Sequence, residues 1–158
     1  MIYLLAFLIG IIAGLRAMTA PAAVSWGAYL GFLGLTGTWL SFLGSIWSVV
    51  VLTILAIGEL ITDQLPTTPS RKVPMQFGAR IVAGALAGAA IGAGFGQWQA
   101  AIVAGAAGAI VGTVGGAAFR SKLAAAFGRD TPAALIEDAI AIIGAWIIIT
   151  KLTSLAVS

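Results

Sequence analysis

Cysteine and histidine are both absent from this chain. Their absence removes thiolate nucleophiles, disulfides, imidazole bases, haem ligation and most zinc or copper sites, and no cofactor is expected. Charge is scarce as well. Asp, Glu, Lys and Arg make up 8% of the 158 residues, against about 25% in soluble domains. That is too little to hydrate a surface. Eight Lys and Arg outnumber five Asp and Glu, for a net charge of +3. The excess forms two short clusters rather than a helical stripe, which reads as a topology signal and not as nucleic-acid binding.

Apolar residues fill the chain instead, at 61% with a mean hydropathy of +1.11. A spanning helix needs roughly 20 apolar residues. Residues 1–158 are therefore predicted to form one transmembrane domain, an all-α polytopic bundle of about five spans with no room for an extramembrane domain. The apolar runs are continuous, unlike the alternating strands of an outer-membrane barrel. The clearest spans are 45–65, 78–96, 99–118 and 132–152. Residues 1–12 have no basic leader and no cleavage site before a polar chain, so they are expected to remain as the first span.

Residues 2–33 are too long for one crossing: a straight helix would run roughly 48 Å against a hydrocarbon core of roughly 30 Å. Arg16 interrupts the apolar run, and Pro21 has no amide to bond the Ala17 carbonyl, so a break is predicted within 15–21. The preferred reading is a broken first helix whose second piece, 22–32, is re-entrant or interfacial. The alternative is six spans, with 21–40 crossing separately.

Six of the eight basic residues lie in 66–80 (Arg71, Lys72, Arg80) and 119–131 (Arg120, Lys122, Arg129). Both segments are expected as cytoplasmic loops of an inner-membrane protein, with uncharged 34–44, uncharged 96–99 and the C-terminus outside. The N-terminus is inside with five spans and outside with six. Trp39, Trp47, Trp98 and Trp146 fall near the outer boundaries, as an aromatic belt does.

Glycine recurs every fourth position at 84, 88, 92 and 96, and again at 108, 112 and 116, in the manner of a glycine zipper. Each set lies on one helix face and permits close backbone approach. The expected use is packing of the 78–96 and 99–118 hairpin, with a homo-oligomer interface as the alternative. A faint repeat is also present. A span, an Arg (Arg16 or Arg120), an amphipathic stretch and a span with acids (Glu59 and Asp63, or Glu137 and Asp138) occur twice, and are expected to be inverted in the membrane.

Ionisable groups inside spans are expensive, roughly 2.5–3.5 kcal/mol each, and default to functional hypotheses. Glu59 and Asp63 share one helix face. Glu137 and Asp138 lie just over a turn into the last span, which starts at Pro132 after a Thr131 cap. Glu59 and Glu137 are both roughly 9 Å from the cytoplasmic ends of their helices, so a shared site is geometrically possible. Carboxylates suit protons and hard cations, and Thr62 adds an oxygen. The competing reading pairs these acids with Arg16, Arg80 and Arg120 as buried structural bridges. Arg16 beside a broken helix is also a candidate anion site. Residues 66–74 read as an extended loop, where Arg71 and Lys72 meet anionic lipid headgroups.

The segment GELITDQLPTTPSRKVP (58–74), preceded by GLRAMTAPAAVSW (14–26), resembles a family of small bacterial integral membrane proteins classed as a domain of unknown function. Its most specific part is Glu59, Asp63, Pro66, Pro69 and Arg71, and the likeness covers most of the chain. Members more often carry Lys where this chain has Gln64, which implies that Asp63 lacks an adjacent basic partner here. The resemblance implies a membrane fold and no established activity, and it transfers no catalytic residue.

The expected function is a small transporter or channel for an ion or small polar solute, using Glu59, Asp63, Glu137, Asp138 and Arg16. The first alternative is a lipid-binding or lipid-translocating protein with Arg16, Arg71, Lys72 and Arg120 on the phosphate. The second is a scaffold or assembly factor. No nucleophile and base pair points to an enzyme. Membrane lipids, a second copy of the chain and a small ion or solute are the expected partners.

Overall fold

The computed structural model describes residues 1–65, 67 and 70–156. It contains six α-helices: α1 (Ile2–Leu15), α2 (Thr19–Tyr29), α3 (Ile46–Thr62), α4 (Pro74–Ala93), α5 (Trp98–Phe127) and α6 (Asp130–Ala156), with a 3-10 turn at Ser41–Gly44. Among the described residues there is no strand. At 20, 30 and 27 residues, α4, α5 and α6 are long and apolar enough to cross a membrane, whereas α1 and α3 are shorter apolar helices. The molecule is a helical membrane bundle. Pro66 and Pro69, the loop part of the motif noted above, lie outside the described residues, as does Thr68.

Local chemistry sets the helix boundaries. Arg16 closes α1 in an extended conformation (φ −141°, ψ 108°). Pro21 then sits in the first turn of α2, where its missing amide has no intrahelical partner to lose. At the start of α3 the Ser45 hydroxyl accepts from the Ser48 amide at 3.2 Å, and α4 begins on Pro74, whose fixed φ suits a first helical position.

Residues 119–131, expected as a loop, are helical as far as Phe127. Ser121–Phe127 contains no breaker, and only Gly128, at φ +72°, and Arg129 separate α5 from α6. Helix α6 in turn starts at Asp130, two residues before the expected Pro132.

Glycine permits the bundle's closest contacts. A Cβ on Gly88 would lie 2.5 Å from the Ala101 carbonyl oxygen and 2.9 Å from the Gly105 Cα; one on Gly84 would lie 2.7 Å from the Gly105 carbonyl oxygen. Helix α4 thus packs antiparallel on α5, as expected of the hairpin. Gly96 is not part of that face: it lies in the turn at φ +70° with open space around it. The second glycine series faces elsewhere. Gly108 and Gly112 meet the backbone of Phe7 and Ile11, and Gly10 meets that of Gly105. Helix α5 is therefore wedged between α4 and α1.

The register of Gly10 on Gly105 and Gly14 on Ala109 shows that α1 runs parallel to α5. Spans related by inversion would run antiparallel, so the repeat seen in the sequence is not an inverted one.

Helix α2 is not re-entrant. From the Arg16 break it leads away to the opposite end of the bundle. There Gly27 abuts Ile149, the Ser25 hydroxyl donates to the Leu43 carbonyl at 2.5 Å, and Leu33 reaches Gly94. Met1, Ile2 and Tyr3 gather at that same end with Phe95, Gln97 and Leu155. Both ends of the described chain thus share one end of the bundle, which is the helix order of the six-span alternative. Eleven residues of α2 rise only about 16 Å, half a hydrocarbon core. The turns that follow fold over the bundle and bury Leu33, Leu35, Leu40 and Leu43. Trp39 and Trp98 stack edge-to-face at this end with centroids 5.7 Å apart.

Candidate functional site

The opposite end of the bundle collects charge. All five acids of the chain meet four arginines there, drawn from the α1–α2 break, the end of α3, the following loop, α4, α5 and α6. Arg16 is fully buried. Its Nε donates to Asp138 Oδ1 at 2.5 Å, its Nη2 pairs with the same carboxylate, and its Nη1 pairs with Asp63. Arg120 Nη1 takes the same oxygen of Asp63, while its Nε and Nη2 hold both oxygens of Asp130 at 2.9 and 2.5 Å. Arg71 reaches Glu137 with two donors, at 2.5 and 2.7 Å. Arg120 and Arg16 approach the same Glu137 carboxylate at 3.5 and 3.8 Å.

A second arrangement clamps the break itself. The carboxylate of Glu59 accepts from the amides of Ala17 and Met18, both at 2.8 Å, satisfying the donors just ahead of α2. Arg80 does the converse for α1, its Nη1 donating to the carbonyls of Gly14 and Leu15 at 2.9 and 2.8 Å. Glu59 and Arg80 pair with each other at 3.5 Å. One carboxylate and one guanidinium therefore complete the two helix ends that the break exposes.

The structure brings Glu59, Asp63, Glu137, Asp138 and Arg16 into one network, but Glu59 and Glu137 have different principal partners, Arg80 for the first and Arg71 for the second. Arg71 and Arg120, expected at lipid phosphates, are turned inward onto carboxylates, with side chains 8% and 13% exposed. The reason is electrostatic: a buried Glu137 needs a cation, and both guanidiniums are within its reach. Lys72 is exposed. Asp63 does not lack a basic partner beside Gln64, since Arg16 and Arg120 both bond it, while Gln64 Nε2 donates to Asp138 Oδ2 at 3.2 Å.

Sequence reasoning passed over Asp130 and named Arg80 as a counter-ion and as part of a loop over 66–80, whereas Arg80 is buried within α4, which begins at Pro74. Both carried a signal. Arg80 lies inside an apolar run, as Arg16 does, and Asp130 stands just past the glycine that stops α5.

Four acids of the network are shielded (side chains 0–16% exposed), while Asp130 is 59% exposed. Four shielded carboxylates against Arg16, Arg71, Arg80 and Arg120 make the interior of the network electrically balanced. Each of those carboxylates already has a guanidinium or amide partner. Among the described residues no group of three or more Asp or Glu is arranged to hold a metal ion.

Beside the network an apolar groove of about 350 Å³ lies between α2, α3 and α6, lined among others by Thr19, Trp26, Leu60, Ile142, Trp146 and Ile149. It runs from Thr19, next to the Glu59 clamp, toward the aromatic end.

A family model for a domain of unknown function, DUF4126, matches residues 3–153. The chain belongs to the DUF4126 family. Comparison with curated proteins and with solved structures gave no match. The interrupted first apolar run and the buried arginine network fall within the stretch that the DUF4126 model covers, as do the six helices of the described residues apart from Ile2 and the last three residues of α6.

Proposed function

We propose that this DUF4126 protein is a small carrier that takes an anion together with a proton, with the charged end of the bundle as its binding site. The carrying observation is the balance of four shielded carboxylates against four arginines. Guanidinium does not deprotonate in proteins, so the network changes charge only when a carboxylate takes up a proton. A proton on Glu137 or Glu59 then leaves Arg71 or Arg80 without its carboxylate partner, and such a centre accepts a carboxylate or phosphate in bidentate fashion. A cation would instead have to compete with four fixed positive charges for oxygens already engaged. Buried ion pairs add little net stability, so stability alone is a weak reason to gather so many charges in a membrane protein, and intramembrane charges mark sites.

The test is reconstitution into liposomes containing a pH-sensitive dye, with inward gradients of phosphate, sulfate or chloride and the potential clamped. Inward proton movement that depends on the anion and is absent from protein-free vesicles is expected. No anion-dependent movement with any of the three overturns the proposal.

The groove favours a second reading, in which the anion is the phosphate of a lipid whose chain lies along Trp26, Ile142 and Ile149. Phospholipid retained stoichiometrically through purification, and lost when Ala145→Trp fills the groove, is the outcome expected of that version. Its retention by the filled variant rejects it.

A further inference from the structure

Arg80 is 2% exposed, yet its Nε has no hydrogen-bond partner. Nε and Nη2 share one edge of a guanidinium, the fork that carboxylates and phosphates bind with two oxygens. On Arg80 that edge makes one long contact, Nη2 to Glu59 Oε1 at 3.5 Å, because both Glu59 oxygens are drawn to the Ala17 and Met18 amides at 2.8 Å. Two backbone amides at a helix start, the dipole of α2 behind them and an under-used guanidinium fork converge on one place. That is the donor set of an oxyanion site, and a carboxylate borne by α3 occupies it.

We infer that the α1–α2 break is an anion-binding site for a carboxylate or phosphate group, and that Glu59 is its tethered internal occupant. An incoming oxyanion takes the Ala17 and Met18 amides together with the free edge of Arg80 as Glu59 swings out on α3. Outward movement is open to α3, which buries only Val49 completely. A phosphate or carboxylate fits the fork better than Glu59 does, since it is not held by a helix and can set its oxygens on amides and guanidinium at once. The inference rests on the anion reading above and names where the anion sits.

Removing the tethered competitor should open the site. In detergent, with ionic strength balanced by chloride, Glu59→Ala should lower the unfolding temperature, and phosphate or acetate should restore it in a saturable manner. Because a tethered group competes at an effective concentration in the millimolar range, the variant should bind the added anion about tenfold more tightly than the wild type. Adding Arg80→Gln to the variant should abolish the rescue. Should the alanine variant fail to accumulate, Glu59→Gln serves instead, since it keeps one oxygen for the amides but lacks the charge. Rescue by phosphatidylglycerol but not by free phosphate or phosphatidylcholine supports the site and identifies a lipid headgroup as its source. Equal stabilisation by chloride, phosphate and acetate in both Glu59 variants overturns the inference. Rescue without anion-linked proton flux in liposomes would keep the site and discard carriage; flux without rescue would do the reverse.

Discussion

Arg71 and Glu137 meet through two hydrogen bonds of 2.5 and 2.7 Å that tie the loop after α3 to the interior of α6. Removing the guanidinium leaves a fully buried carboxylate with only the longer contacts to Arg120 and Arg16. Arg71→Ala should therefore destabilise the protein by about 3–5 kcal/mol, as breaking buried pairs does. The double variant Arg71→Leu with Glu137→Leu removes both charges and should be milder than Arg71→Ala alone. Equilibrium unfolding in mixed micelles measures the difference. A double variant that is the less stable of the two would contradict the pairing.

The glycines of α4 and α5 divide into those that touch backbone and those that do not. Gly88→Ala places a methyl group 2.5 Å from the Ala101 oxygen, so the helices must separate, and a loss of about 1–3 kcal/mol is expected. Gly115→Ala, also helical but with open space around it, should be neutral or stabilising by up to about 1 kcal/mol. Thermal unfolding of the two variants side by side provides the check.

Labelling distinguishes the two ends of the bundle. Gln97→Cys and Tyr3→Cys lie together at the aromatic end, and both should react with an impermeant maleimide applied to intact cells. Lys72→Cys and Lys122→Cys, at the arginine-rich end, should react only after the membrane is opened, since basic segments stay on the cytoplasmic side. Reaction of Gln97→Cys and Tyr3→Cys from opposite sides would break the helix order.

Some of this architecture was legible in the residues. The excess length of the first apolar run, with Arg16 and Pro21 in it, located the break because a membrane core has a fixed thickness and proline removes an amide. Four-residue glycine spacing identified the α4–α5 contact. The partner of each charge was not legible. Arg71 reaches an acid 66 residues away and Arg80 reaches carbonyls as far back, and spacing along one helix carries no information about such pairs. The extension of α5 was hidden for a different reason. Arg120 and Lys122 suggested water and hence a loop, yet Ala and Leu carry the helix on to Gly128. Nor did the glycine series announce that α5 would offer it to α1, since a helix face has no address for its partner.

The order in which the charges are synthesised has its own consequence. Arg16 precedes Asp63 by 47 residues and Asp138 by 122. At roughly 5–20 residues per second, its last partner arrives on the order of ten seconds after it. Until α6 is made, the four arginines of the network have only Glu59 and Asp63 to face. A nascent or truncated chain lacking its last helix therefore carries surplus positive charge at one end. That surplus disappears only when Glu137 and Asp138 have been inserted.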